Sequence, residues 1–204
     1  GAGRHILIGA VLAVVMTTVT VGLNVVLGTA SLGSPTWGML PLALVLLIGF
    51  AVQSSTEEIA DRGYLMQAVS PRWGFVAAMV VQTIVFAALH GANGGLTWVA
   101  WANLCGVAVF LGLWVWVSGS LWGACAFHTF WNWSQGNLWG APVSHTTMGT
   151  SVGHYTPGEG SSALLTGGSF GLEGSVIPLV MFVVGSAVLV VLGRRRRAVA
   201  GRVR

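Results

Sequence analysis

The chain has 204 residues, 54% of them apolar and only 7% charged, with a formal net charge of +4. A soluble domain carries about a quarter charged residues, so this composition, with a mean hydropathy of +0.80, excludes an ordinary water-soluble domain. All nine basic residues are arginines, which excludes chemistry through a lysine Schiff base, a retinal-type photoreceptor included.

A helical membrane span takes about 20 apolar residues. The first runs from Ile6 to Leu27, and a Gly/Ser/Pro turn follows from Gly28 to Thr36. A second apolar run from Trp37 to Val52 changes character at Ser54-Ser55-Thr56-Glu57-Glu58 and stays helical through Val69. Ser70-Pro71 is expected to break it, because proline lacks an amide donor and biases its predecessor away from helix. Trp73 to His90 is the third run, ended by Gly91-Ala92-Asn93-Gly94-Gly95; Leu96 to Val117 is the fourth; Leu121 to Trp133 is the fifth. Ala141 to Gly174, rich in Gly, Ser and Thr and without a sustained period, reads as an extramembrane loop. Val176 to Leu192 is the last run, stopped by Arg194, Arg195, Arg196 and Arg197. The fold class expected is all-α, a polytopic integral membrane bundle of about six transmembrane helices in one domain over residues 1–204, with a polar loop over 140–174, a last helix over 175–193 and a basic tail over 194–204. Ten tryptophans and 30 glycines suit such a bundle, with indoles at the interfaces and small residues at close helix crossings.

Arg4, Arg72 and the arginines from Arg194 to Arg204 fall on one side of a six-span chain. The positive-inside rule makes that side cytoplasmic and predicts both termini there, in a multi-pass protein of a bacterial cytoplasmic membrane. A basic cluster straight after an apolar run reads as a cytoplasmic stop in contact with anionic lipid, so the partners expected are the bilayer and no nucleic acid. Cys105 and Cys125, both in apolar runs, make neither a disulfide framework nor a zinc knuckle and read as small core residues.

Ionisable groups at membrane depth are costly and are therefore functional candidates. Glu57, Glu58, Asp61 and Arg62 share one helix, with Glu58 and Arg62 four apart in the favourable order for an ion pair. His90 ends the third run one turn after Phe86, and His128 and Asn132 lie one turn apart in the fifth. No charged residue occurs from Trp73 to Gly158, so these are nearly all the strongly polar groups of the spans. Glu57 and His90, either side of the expected Ser70-Pro71 turn, fall near one level of a helical hairpin. One distance does not fit: if Trp37 marks one membrane face, Glu57 falls about 30 Å below it, almost at the opposite face.

Glu57-Glu58-Ile59-Ala60-Asp61-Arg62 resembles the EExxxR motif of the CAAX-processing and bacteriocin-processing intramembrane proteases, the CPBP or Abi family, which includes the type II CAAX prenyl endopeptidases. Phe86-Ala87-Ala88-Leu89-His90 resembles its FxxxH motif, and His128-Thr129-Phe130-Trp131-Asn132 its HxxxN motif. The three occur in order on polytopic helices, and the resemblance covers a motif core over about 41–139. Asp61 departs from it, standing where the family usually has an apolar or aromatic residue. The resemblance implies hydrolysis of a peptide bond in a membrane-associated protein or peptide. It implies Glu57 as the residue that activates water, His90 as its assistant, His128 and Asn132 as holders of the oxyanion, and Glu58 with Arg62 as the supporting pair.

Elementary chemistry agrees: neutral imidazole and carboxamide can be aimed at an oxyanion without burying another formal charge, and positions i and i+4 share a helix face. No cofactor is expected under this reading. A zinc ion bound by Glu57, His90 and His128 is the second mechanism, because these are zinc-ligand types. A non-catalytic membrane immunity or scaffold protein is the alternative from another class. Competing protease signatures fare worse: Asp61 is the only aspartate, and no HExxH occurs. Gly149-Thr150-Ser151-Val152-Gly153 fits GxSxG but sits in the polar loop without the strand that a nucleophile elbow needs. His145 and His154 read as solvated loop residues. Substrate identity and oligomeric state have no signal in the sequence.

Overall fold

The computed structural model describes the backbone of residues 1–202 and the side chains through Arg196. Arg204 and the side chains of Arg197 and Arg202 lie outside the described residues. The first helix, α1 (Ala2–Val26), buries Gly9, Ala13, Met16, Thr17, Thr20, Val21 and Asn24, a stripe at spacings of three and four. It packs on α5 (Trp122–Trp133). A Cβ on Gly9 would lie 2.3 Å from the carbonyl oxygen of Gly123, so the close crossing depends on the absence of a side chain there. Further along, Thr17 Oγ1 and Ser134 Oγ meet at 2.9 Å, which satisfies two hydroxyls that lipid could not.

After a strand, β1 (Ala30–Leu32), and a short 3₁₀ turn at Trp37–Met39 comes α2 (Leu40–Glu58). Pro41 stands in the first turn of α2, where its missing amide removes no helical bond, so it does not kink the helix. A π-helical turn, Ile59–Leu65, joins α2 to α3 (Met66–Leu89). The expected break at Ser70-Pro71 is absent: Pro71 lies inside α3, its fixed φ being a helical value. The chain reverses instead at Gly74, where φ is +81° and ψ 169°, a conformation glycine adopts at little cost. The reversal is seen in the Arg62 guanidinium, which lies 4.5 Å from the centroid of the Phe86 ring. In an unbroken helix residues 24 apart would be about 36 Å apart. Glu57 is equidistant in sequence from Leu40, where α2 starts, and Gly74. It therefore sits midway along a helical leg of about 50 Å, longer than the bilayer core.

A 3₁₀ turn at His90–Ala92 leads to α4 (Trp98–Ser118). Thr97 Oγ1 accepts from the Ala100 amide at 3.2 Å to cap its start, and Gly119 closes its end at φ +66°. The fifth helix is buried nearly all round, between α1 and α2, and continues as a π turn over Ser134–Leu138. Phe110, Phe127, Trp131 and Phe182 pack ring against ring at its inner side. The last helix, α7 (Val176–Arg202), packs against α4. It continues past Leu192 through the arginines, where a helix C-terminus favours cations; Arg196 Nη1 donates to the Val117 carbonyl at 2.8 Å.

The architecture is thus an all-α membrane bundle, and the chain is an integral membrane protein. Among the described residues four helical stretches are long and apolar enough to cross a bilayer: Ala2–Val26, Trp37–Ala92, Trp98–Ser118 and Val176–Arg196. Trp37–Ala92 contains the reversal at Gly74, while α5, with 12 residues, is shorter than the bilayer core. The polar segment after residue 140 is ordered as a cap. A second strand, β2 (Tyr155–Pro157), pairs antiparallel with β1, Ala30 opposite Pro157 and Leu32 opposite Tyr155. A helical turn, α6 (Ala163–Thr166), and two 3₁₀ turns follow. Cys125 is buried as expected, but Cys105 is exposed on α4, on a surface that an apolar helix offers to lipid.

Candidate functional site

Glu58 points into the bundle from the end of α2 and is fully buried. Its Oε1 accepts from Arg62 Nη1 at 3.1 Å and from His128 Nδ1 at 2.9 Å. Arg62, also fully buried, donates through Nη2 to the Ala108 carbonyl at 3.3 Å and lies 3.7 Å from Asp61 Oδ2. Its guanidinium rests over the Phe86 ring, a cation–π contact. The π turn at Ile59–Leu65 carries Asp61 and Arg62, so the local widening of the helix lies beside these charges. The arrangement is a buried ion pair with added hydrogen bonds, which low dielectric makes costly to disrupt.

Glu57, one residue earlier, faces a cavity of about 660 Å³. Its Oε1 accepts from Gln53 Nε2, one turn before it on α2. Its Oε2 has no hydrogen-bond partner among the described residues. That oxygen stands 3.9 Å from His90 Nε2 and 3.8 Å from His128 Nε2. Each imidazole is fixed from its far side: His90 Nδ1 donates to the Phe86 carbonyl at 2.8 Å, and His128 Nδ1 to Glu58. In their neutral forms both rings therefore turn an unprotonated Nε2 toward Glu57. His128 donates through Nε2 only as the imidazolium, for which Glu58 is the adjacent counter-ion.

Asn132, one turn after His128 on α5, is buried and lines the same cavity. Its Nδ2 donates to Gln53 Oε1 at 3.4 Å, so Gln53 links the carboxamide to the Glu57 carboxylate. The structure thus brings Glu57, His90, His128 and Asn132 to one cavity and sets Glu58 and Arg62 behind it. Asp61 reaches the cavity wall as well. Gln53 is absent from the sequence reading; its signal was the i, i+4 spacing to Glu57. Two further polar residues of the cavity, Asn103 and Glu173, stand outside every motif and had no local signal.

Tetrahedral zinc with bonds near 2.1 Å holds its ligand atoms about 3.4 Å apart. Glu57, His90 and His128 are the right donor types, but the distances of 3.8 and 3.9 Å must close by about half an ångström to hold one. Among the described residues no group of three is arranged to hold a metal ion. The GxSxG stretch forms no triad among the described residues. His154 Nε2 meets Thr36 Oγ1 at 2.9 Å and His145 Nδ1 meets the Ser169 carbonyl at 3.2 Å; both histidines are exposed on the cap.

Residues 37–134 match the model of a protein family described as type II CAAX prenyl endopeptidase Rce1-like. The matched segment contains Glu57, His90, His128 and Asn132 and leaves out α1, the cap and α7. No curated protein and no solved structure matches the chain.

Proposed function

Residues 37–134 being an Rce1-like domain of the type II CAAX prenyl endopeptidase kind, we propose that this chain is an intramembrane endopeptidase in which Glu57 activates water against a peptide bond of a membrane-associated protein or peptide. One observation carries the reading: at the cavity, a Glu57 oxygen without a partner among the described residues stands 3.9 and 3.8 Å from two fixed imidazoles, whereas Glu58, whose Oε2 is also unpartnered, is buried in an ion pair behind them.

In this reading a water between the substrate and Glu57 Oε2 loses a proton to that oxygen as its own oxygen bonds the scissile carbonyl carbon. His90, held by the Phe86 carbonyl, offers Nε2 as a second proton acceptor. His128, as an imidazolium balanced by Glu58, and the Asn132 carboxamide donate to the oxyanion; one such donor is worth about 3 kcal/mol of barrier. As the oxyanion collapses, the C–N bond breaks and the proton on Glu57 passes to the leaving amine. Gln53 keeps the carboxylate and the carboxamide in register. The arginine distribution supports an orientation with both termini on the cytoplasmic side.

A zinc-dependent form of the same hydrolysis is the second reading. It is favoured by the two Nδ1 hydrogen bonds, because a ligating histidine usually donates its other N–H to a carbonyl or carboxylate. Hydrolysis of an internally quenched apolar peptide by the protein in lipid nanodiscs separates the two. Under the glutamate mechanism the rate survives prolonged chelation and no stoichiometric zinc is found, while Glu57→Gln abolishes turnover. Inactivation by chelator with recovery on added zinc establishes the metal mechanism instead. A cellular phenotype that persists in Glu57→Gln points to a non-catalytic immunity or scaffold role.

A further inference from the structure

Asn103, on α4, is only 2% exposed. Its Nδ2 donates to two carbonyls, that of Val99 at 3.2 Å and that of Ser175 at 2.7 Å. Carbonyl oxygens can only accept, so this pair of bonds fixes the orientation of the carboxamide and uses both of its N–H groups. The acceptor, Oδ1, is left buried without a partner among the described residues. Asn103 lines the same cavity as Glu57, and an orphaned acceptor carries a desolvation cost that an incoming donor relieves.

Two residues before Ser175 stands Glu173, which also lines the cavity. Its Oε1 accepts from Trp131 Nε1 at 3.2 Å, and its Oε2 from the amide and hydroxyl of Ser144 at 3.0 and 2.8 Å. These are neutral donors. They hold the carboxylate in place without cancelling its charge, and no ion pair joins it among the described residues. Neither lysine nor arginine lines the cavity, whereas Glu57, Asp61 and Glu173 all do. Of the three only Asp61 has an arginine within ion-pair reach.

We propose that Asn103 Oδ1 and the Glu173 carboxylate form an acceptor subsite for a lysine or arginine side chain of the peptide that enters the cavity. This assignment rests on the reading of the cavity as a peptide site. An ammonium or guanidinium group brings only donors, which matches an orphaned acceptor and a carboxylate without an ion pair in the wall of one cavity. A substrate carboxylate at this end would instead meet the Glu173 carboxylate with no lysine or arginine lining the cavity among the described residues. Glu173 and the residues that hold it belong partly to the cap, outside the family-matched segment, so the subsite is this chain's own device for choosing a peptide.

The test measures both binding and cleavage in nanodiscs of leucine-rich peptides, acetylated and amidated, that differ only in a central Lys, Gln or Glu. The Lys peptide is expected to bind at least 10-fold more tightly than the Glu peptide, with Gln between them. Glu173→Gln and Asn103→Leu should each cut that ratio at least threefold. Thr146→Arg, at an exposed position of the cavity wall, should reverse it, and it serves if the buried variants fail to fold. Equal binding of the three peptides, or a ratio that neither Glu173→Gln nor Thr146→Arg moves, overturns the subsite. Charge-selective binding without cleavage of any peptide overturns the hydrolase reading and leaves the subsite standing.

Discussion

Behind α2, Glu58 is completely buried, spends Oε1 on Arg62 and His128 and leaves Oε2 without a partner among the described residues. On the cavity side, its sequence neighbour Glu57 is 29% exposed and keeps one oxygen without a partner. The two regions share His128, which gives Nδ1 to the first and turns Nε2 toward the second. The difference teaches how an apolar bundle handles charge. Where the charge is compensated on the spot, it fixes the packing of α2, α3, α4 and α5. Where it is left uncompensated at a cavity, it is available for chemistry. One imidazole carries the rigidity of the first region into the second.

The contrast breaks most severely at Arg62. Arg62→Met leaves the Glu58 charge buried without its main partner and should cost about 3–5 kcal/mol of stability, read as a lowered thermal unfolding midpoint in detergent. The double variant Arg62→Met with Glu58→Gln should regain much of that loss, because no charge is then stranded. On the cavity side, Asn132→Ala should slow hydrolysis by about 10²- to 10³-fold with the unfolding midpoint nearly unchanged. Gln53→Leu, which cuts the link between Asn132 and Glu57, should slow it by about 10- to 100-fold through misplacement of the carboxylate. An equal fall in stability for Asn132→Ala would erase the distinction between the two regions.

The smallest effect concerns a neutral polar group in the cap. Burial pushes the Tyr155 phenol up to about 12, and its hydroxyl donates to the Thr166 carbonyl at 3.3 Å. The folded state therefore holds the phenolic proton more tightly than the unfolded chain does. Its contribution is fully present below the ordinary tyrosine value near 10 and is lost as pH rises from there to about 12. Unfolding midpoints of the wild type and Tyr155→Phe should differ by the equivalent of about 1 kcal/mol at pH 8. The gap should close above pH 10; a constant gap to pH 12 would remove the phenol from the account.

Much of the site was legible in the sequence, because charged and strongly polar side chains are scarce in an apolar chain and each one that persists has a reason. The i, i+4 order of Glu58 and Arg62 and of His128 and Asn132 is visible in the spacing alone. The reversal was placed three residues early. Pro71 is the stronger local signal, yet its ring is compatible with helix, and only the pairing of Arg62 with Phe86 across Gly74 shows which residue turns. The segment reads from sequence only as an extramembrane polar loop, because the order of the cap comes from distant partners: β1 to β2, Glu173 to Trp131, Asn103 to Ser175. Such contacts leave no periodicity in the chain. The exposure of Cys105 was missed for a related reason, since an apolar run does not say which face meets lipid.

The division between a structural and a chemical carboxylate is tested most directly by Glu57→Gln and Glu58→Gln prepared side by side in nanodiscs, with hydrolysis rate and thermal unfolding midpoint measured on the same samples. Glu57→Gln is expected to abolish turnover, by at least 10²-fold, and to keep the wild-type midpoint. Glu58→Gln should lower the midpoint and, by removing the counter-ion of the His128 imidazolium, slow turnover of the folded fraction without abolishing it. Full turnover in Glu57→Gln, or an unfolding midpoint that drops with Glu57→Gln and not with Glu58→Gln, would contradict that division.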